Sequence, residues 1–481
     1  MSPVHSLGTP TASARLRERS FWLDSLADGP SRAALDGDQQ VDVAIVGGGT
    51  TGLWAAHYLL AADPSLRVLI IEATEVGFGA SGRNGGWCVG ELAAGPERIE
   101  AAAGNAAARQ MLRALFDTVD DVGRVCADLG IDCHYTKGGT IRLARNGAHL
   151  ARLRDEVEHL HTRFGLDDDD IRLLGADEAR THLAATSVIG GAFFAHTAAL
   201  HPARLVRSLA DAVERAGATI VEHTRAISIA PGAVTTDRGT VRADMIVRAT
   251  EGYTSDLDGH ARSMAPLYSL MVVTDPIPAD VWAEIGLGRR QTFDDGRHLV
   301  IYGQRTADDR IAFGGRGARY PFASRINPNI EMSSRVHDRI TAALRELLPQ
   351  LSDVGITHRW GGVLGIPATG SPRSASTGRR VLPGRGAMWA KGWRHHILVG
   401  ALWPTSSRVS THREPNCHGL GIVHGPGNPS RCVGWRSMAL SSVWRSAIAA
   451  RPAVVVHHDL PELLSASYVA DRDVCSAVER G

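Results

Sequence analysis

The sequence predicts an α/β protein: a Rossmann-like dinucleotide-binding domain, a second β-rich α+β domain, and an aberrant C-terminal tail. Three observations carry this expectation. The strand-like run Val41-Asp42-Val43-Ala44-Ile45-Val46 feeds into Gly47-Gly48-Gly49-Thr50-Thr51-Gly52, and a second apolar run, Val68-Leu69-Ile70-Ile71, ends on Glu72. From Tyr268 to Arg319 short strand-like runs follow one another. Residues 368–481 abandon both patterns.

The first motif reads as strand, turn, helix and second strand. Gly47 permits the tight turn, Gly49 lets backbone approach a pyrophosphate, and Gly52 lets the helix pack close to the sheet. Thr51 opens that helix, whose N–H groups suit an anion. Ala55, Ala56, Leu59 and Leu60 supply its apolar face. Glu72 falls 20 residues beyond Gly52, where a carboxylate at a strand end accepts ribose hydroxyls.

Next comes Gly77-Phe78-Gly79-Ala80-Ser81-Gly82-Arg83-Asn84-Gly85-Gly86, too glycine-rich for an ordinary second helix. Such a loop offers backbone N–H groups and close approach to a planar ring or phosphate. Taken alone it reads equally well as a flexible surface loop. Together the two motifs resemble the D-amino-acid-oxidase-like family of FAD-dependent amine oxidoreductases, nearest its γ-glutamylputrescine oxidoreductase, glycine oxidase and sarcosine oxidase group. Ser20-Phe21-Trp22-Leu23, Val241 to Tyr253, Tyr302 to Thr306, Phe313 to Gly317 and Trp360-Gly361-Gly362 extend the resemblance over residues 20 to 367. It implies FAD as cofactor, with Ala80, Ser81, Asn84, Gly85 and Gly86 beneath the flavin, backbone near Ala226 at the adenine, and Thr250 beside the dinucleotide.

In chain order, residues 1–35 form a polar lead-in and 36–100 the first part of the FAD-binding domain. Residues 101–200 form a helical insertion and the start of the substrate domain, with Met111, Leu112, Leu115, Val119, Val122 and Val125 at helical spacing. Residues 201–260 return to the FAD-binding domain through a helix at Leu205–Ala216 and a strand at Ala218–Glu222. Residues 261–358 are the substrate domain, with strands at Leu270–Val273, Leu299–Tyr302 and Ile311–Phe313 and a helix from Pro328 to Leu348. Residues 359–367 are expected to re-enter the FAD domain.

A hydrophobic share of 44% and a net charge of +1 describe an ordinary soluble chain and give no reason to invoke nucleic acid. No run is long and apolar enough to span a bilayer, and Met1 to Ser20 lacks a signal-peptide core. Six cysteines without metal-ligand spacing read as free thiols in a reducing cytoplasm. Cys88, just after the glycine loop, is read as a buried inert thiol. No metal site is expected: the paired His395-His396 and His457-His458 do not share a helix face.

The tail differs in kind. Residues 368–481 carry five of the ten tryptophans and 14 Lys+Arg against 6 Asp+Glu, whereas the rest of the chain is net acidic. Reading the last base of each codon with the first two of the next, Met388-Trp389 forces valine and Trp389-Ala390 forces glycine. The degenerate code thereby permits the family's GGYVGEGV element, which the chain as written lacks. The tail therefore reads as a frameshifted, poorly ordered product; a lineage-specific extension is the alternative. The lost element is a turn entering a helix toward the flavin pyrimidine, so its absence bears on FAD retention and catalysis.

The implied reaction is oxidation of the C–N bond of a small amine or amino acid, with oxygen or another electron acceptor. Hydride passes to flavin N5 and leaves an imine that water hydrolyses. Substrate-side candidates are His298, Tyr302 and Arg305; a solvated β face with structural roles is the alternative for each. By alternation His298, Val300 and Tyr302 share one face, which leaves Arg305 free to point elsewhere. The lysine that sarcosine oxidases use toward oxygen has no counterpart in His298 to Tyr302, so oxidase and dehydrogenase both stay open. An NAD-linked dehydrogenase using only the first motif is the third alternative.

Overall fold

Strand β1 (Gln39–Val46) has its last four residues buried on both faces, which is why the run is apolar without alternation. The computed structural model describes residues 20–27, 32–92, 95–318, 320–321 and 325–367. The tail of residues 368–481 and most of the polar lead-in lie outside the described residues.

After β1 the helix Thr50–Ala62 crosses over to β2 (Val68–Ile71), parallel to β1. The chain then leaves the sheet. It runs through β3 (Trp87–Val89), the helices Glu97–Ala103 and Asn105–Asp128, β4 (Thr140–Ala144), the helix Gly147–Phe164, β5 (Ile171–Leu174), β6 (Gly190–Phe194) and β7 (Thr197–Ala199). The helix Pro202–Arg215 brings it back. Pro202 fits the first turn, where its missing N–H costs nothing, and the ring Nδ1 of His201 accepts the Arg204 N–H at 3.1 Å. Leu205, Leu209 and Val213 bury one face of this helix against β1 and the helix Thr50–Ala62. Then come β8 (Thr219–Val221), β9 (Ala226–Ala230), β10 (Ala233–Thr236) and β11 (Thr240–Arg248). They complete a six-stranded sheet in the order β8-β2-β1-β11-β10-β9. Its four central and left-hand strands are parallel; β10 and β9 are antiparallel.

The remaining strands are β12 (Met264–Thr274), β13 (Thr292–Asp294), β14 (Ile301–Arg305), β15 (Ile311–Gly315) and β16 (Ile356–Pro367). With the excursion strands they form an eight-stranded sheet in the order β16-β12-β15-β14-β13-β4-β6-β5. Two stretches remote in sequence are joined where β13 pairs parallel with β4, Thr292 opposite Thr140. The helix Ser334–Leu347 covers this sheet with Val336, Ile340, Leu344 and Leu347.

Three expectations differ in detail. Strand β14 starts at Ile301 rather than Leu299, so Leu299 is exposed and His298 lies in the preceding bend. The helix from Pro328 to Leu348 is broken into Pro328–Glu331 and Ser334–Leu347. Residues 359–367 do not leave the substrate sheet: β16 pairs with β12 from Ile356 to Pro367, and it meets the dinucleotide half from within that sheet, at Trp360 and Gly361 beside Arg83 and at Gly365, whose N–H donates to Glu251 Oε1 at 2.9 Å.

Candidate cofactor and substrate site

A cavity of about 390 Å³ opens at the C-terminal ends of β1 and β2 and runs to the face of the eight-stranded sheet. Ligands of open α/β sheets bind at this edge because the strand order reverses there and loops diverge.

At the β1 end, Gly47 has φ +114, and a Cβ there would lie 2.5 Å from Ala249 O. A Cβ on Gly52 would lie 2.1 Å from Gly47 O, so helix and turn touch through glycine alone. Gly47, Gly49 and Thr51 line the cavity; Gly52 supports it from behind. Glu72 also lines it. Its Oε2 accepts the Gly48 N–H at 2.8 Å and its Oε1 the Thr74 N–H at 2.9 Å. Burial nonetheless raises this carboxyl above the usual range, outweighing the two donors.

The glycine-rich loop forms the next wall. Ala80, Ser81, Asn84 and Gly85 line the cavity, and Gly86 does not. Ser81 Oγ accepts the Thr50 N–H at 3.1 Å, which ties the loop to the first turn. The Asn84 amide is spent within the loop: Nδ2 donates to Ala80 O at 3.0 Å and Oδ1 accepts the Gly86 N–H at 2.7 Å. A Cβ on Gly86 would collide with Leu200 O at 2.3 Å, so its glycine serves packing. Ala226 and Thr250 also line the cavity, Thr250 beside Gly47.

Of the three substrate-side candidates, only Tyr302 reaches the cavity. It is buried, its hydroxyl lies 2.7 Å from Ser269 Oγ, and desolvation raises its pKa. Arg305 is a correction. Its guanidinium stacks 4.1 Å over Trp282 and pairs with Asp309 at 2.6 Å, because strand alternation turns it from the face Tyr302 occupies. His298 is a second correction: it is exposed and does not line the cavity.

Several further residues line the cavity beyond those the sequence motifs single out. Arg83 is fully buried; it donates to Glu331 Oε2 at 2.6 Å, Gly361 O at 3.0 Å and Tyr253 OH at 3.1 Å. It thus joins the glycine loop to the substrate domain. Its signal was the one charge in a glycine loop. Glu251 adopts φ +45, rare for a glutamate, and its carboxyl takes the Gly365 and Gly252 N–H groups. Burial pushes that carboxyl up to about 7. Trp87, Ser269 and Met271 complete the sheet-side wall. Cys88 is fully buried in the core and does not line the cavity. Cys126 and Cys133 lie with sulfurs 3.8 Å apart as free thiols. Among the described residues no group of metal-ligating side chains is assembled, and no helix is long and apolar enough to cross a membrane.

The chain matches the family model described as FAD dependent oxidoreductase (DAO) over residues 42–402, a span that continues past Pro367. It is 30% identical to the probable oxidoreductase OrdL of Rhizobium meliloti, over 76% of this chain and 82% of that protein. It is 30% identical to the gamma-glutamylputrescine oxidoreductase of Escherichia coli, over 67% and 73%. Among solved structures it is similar in fold to a glycine oxidase from Geobacillus kaustophilus, with a TM-score of 0.60 at 19% identity over 76% and 93% of the two chains. It is also similar to an L-proline dehydrogenase from P. horikoshii, with a TM-score of 0.62 at 17% identity over 78% and 94%.

Proposed function

The chain belongs to the FAD dependent oxidoreductase (DAO) family, and from that premise we propose that it oxidises the C–N bond of a small amine or amino acid by hydride transfer, giving an imine that water hydrolyses. FAD is the cofactor. The observation that carries the reading is the continuity of one cavity from Glu72 and the Gly47 turn to Ser269, Met271 and Tyr302 on the substrate sheet. The residues fit the group: Glu72 stands at the end of β2 to accept ribose hydroxyls, Gly49 and Thr51 bring the start of the helix Thr50–Ala62 to a pyrophosphate, and the Ala80–Gly85 loop gives a planar ring a side-chain-poor wall. FAD supplies the electron sink. The chain's part is to hold the amine against the buried Tyr302 and Trp87 face, where desolvation favours the neutral amine needed for hydride loss. The test is the absorbance of the purified protein with amines and amino acids added without oxygen. Bleaching of a bound flavin supports the reading; a protein that retains flavin and bleaches with none of them sinks it.

The composition and charge reversal of residues 368–481, with the family element recoverable in a shifted frame, support a second reading. In it the chain is the frameshifted, catalytically impaired product of such a gene, with weak or no FAD binding. Sequencing genomic DNA and transcript across the Ile366 to Arg394 codons decides between them: one base gained or lost establishes the shift, and an intact frame abolishes it.

A further inference from the structure

A second cavity, of about 370 Å³, adjoins the first. Trp87 and Tyr302 line both, their rings 5.9 Å apart and nearly perpendicular, so the two spaces share an aromatic partition. Beyond it one wall is apolar: Leu112 and Phe116 come from the helix Asn105–Asp128, Leu160 from the helix Gly147–Phe164, and Phe194 from β6. These elements belong to the long excursion between β2 and β8, which the cofactor half does not need for its own sheet.

The chamber's charge is also defined. Asp294, Glu91 and Glu156 line it, and all three converge on the Arg142 guanidinium at 2.9, 3.3 and 3.0 Å. Arg316 lines it too. Three carboxylates against two guanidinium groups leave one negative charge around an apolar space.

We propose that this chamber receives the alkyl chain of an elongated amine whose C–N bond lies in the first cavity, and that it favours a distal ammonium over a distal carboxylate. The assignment rests on the amine-oxidising reading above. Each methylene transferred from water to such walls is worth about a fourfold gain in affinity, and a distal carboxylate meets a surplus of its own charge.

The test is calorimetric titration of the full chain, supplied with FAD, with ethylamine, hexylamine, hexamethylenediamine and ε-aminocaproate. Hexylamine is expected to bind about 250-fold tighter than ethylamine, the diamine at least as tightly as hexylamine, and ε-aminocaproate at least about tenfold more weakly. In Leu160→Trp, which fills the chamber, the hexylamine-to-ethylamine ratio is expected to fall to about one. Equal affinity along the wild-type series overturns the chamber, and that series decides even where Leu160→Trp does not fold. Tightest binding by ε-aminocaproate overturns the charge preference. Because heat of binding needs no turnover, tighter binding of hexylamine than of ethylamine to a flavin-loaded protein that no amine or amino acid bleaches refutes the oxidation reading and leaves the chamber standing.

Discussion

The indoles of Trp22 and Trp360 meet edge to face, 6.2 Å apart, and donate to consecutive carbonyls of one loop: Trp22 Nε1 to Asn84 O at 2.8 Å and Trp360 Nε1 to Arg83 O at 2.9 Å. Segments 62 residues before and 277 residues after it therefore meet at the glycine-rich loop. The short helix Phe21–Asp24 and strand β16 act as a brace that holds the cavity wall from behind. Replacing Trp360 by Phe keeps most of the buried surface and strands one carbonyl. The expected cost is about 1–3 kcal/mol of stability, read from urea unfolding, with weaker FAD retention in the same preparation. Unchanged unfolding would show that the bond carries no weight.

Gly85 and Tyr302 are matched in the same way. A Cβ on Gly85 would lie 2.5 Å from the Tyr302 ring. Gly85→Ala is expected to lower the melting temperature and FAD affinity, and a second change, Tyr302→Leu, to recover part of the stability. Additive effects in that double-mutant cycle would mean the two sites do not press on each other.

Arg83 and Glu331 form a buried ion pair across the two halves of the molecule, with side chains 1% and 9% exposed. Arg83→Met leaves Glu331 without its partner in a dry site. Breaking one side of such a pair costs about 3–5 kcal/mol, measurable by urea unfolding; a loss below 1 kcal/mol would show that water solvates Glu331 in the folded protein.

Glu251 gives the stability a pH dependence. Its folded carboxyl titrates at about 7 against an ordinary value of 4.5, with burial as the first cause. The folded state thus holds a proton that the unfolded chain has lost. Its contribution is full below about pH 4.5 and is lost as pH rises toward 7, with a slope of up to about 1.4 kcal/mol per pH unit. Glu251→Gln is expected to flatten that stretch of the stability profile. An identical profile in the variant would remove Glu251 as its source.

Glu72→Ala removes the carboxylate at the end of β2. Charge-assisted hydrogen bonds are worth about 1.5–3 kcal/mol, so FAD should bind roughly 10- to 150-fold more weakly in a flavin-fluorescence titration. Equal affinity would place the ribose elsewhere.

The Gly47–Gly52 turn, Glu72 and the loop from Gly77 to Gly86 were legible because their conformations demand particular residues at fixed local spacing. The same locality located β1, β2 and the helix Pro202–Arg215. The substrate face was not legible in this way. Alternation correctly turned Arg305 away from Tyr302, yet it placed His298 on a strand that begins three residues later, because nothing local marks where a ladder starts.

The sequence by itself determined that a dinucleotide turn, a flavin-type loop and a β-rich second half occur in one chain. It did so through backbone conformations that few residue types accept. Only the tertiary structure decided that Trp22, Arg83, Glu331 and Trp360 are one assembly, that Tyr302 closes on Gly85, and that Glu251 spans from the six-stranded to the eight-stranded sheet. Those pairings reach as far as Trp22 against Trp360, at opposite ends of the described chain. Their energy comes from contacts that exist only once two sheets have packed, so no window of sequence contains them.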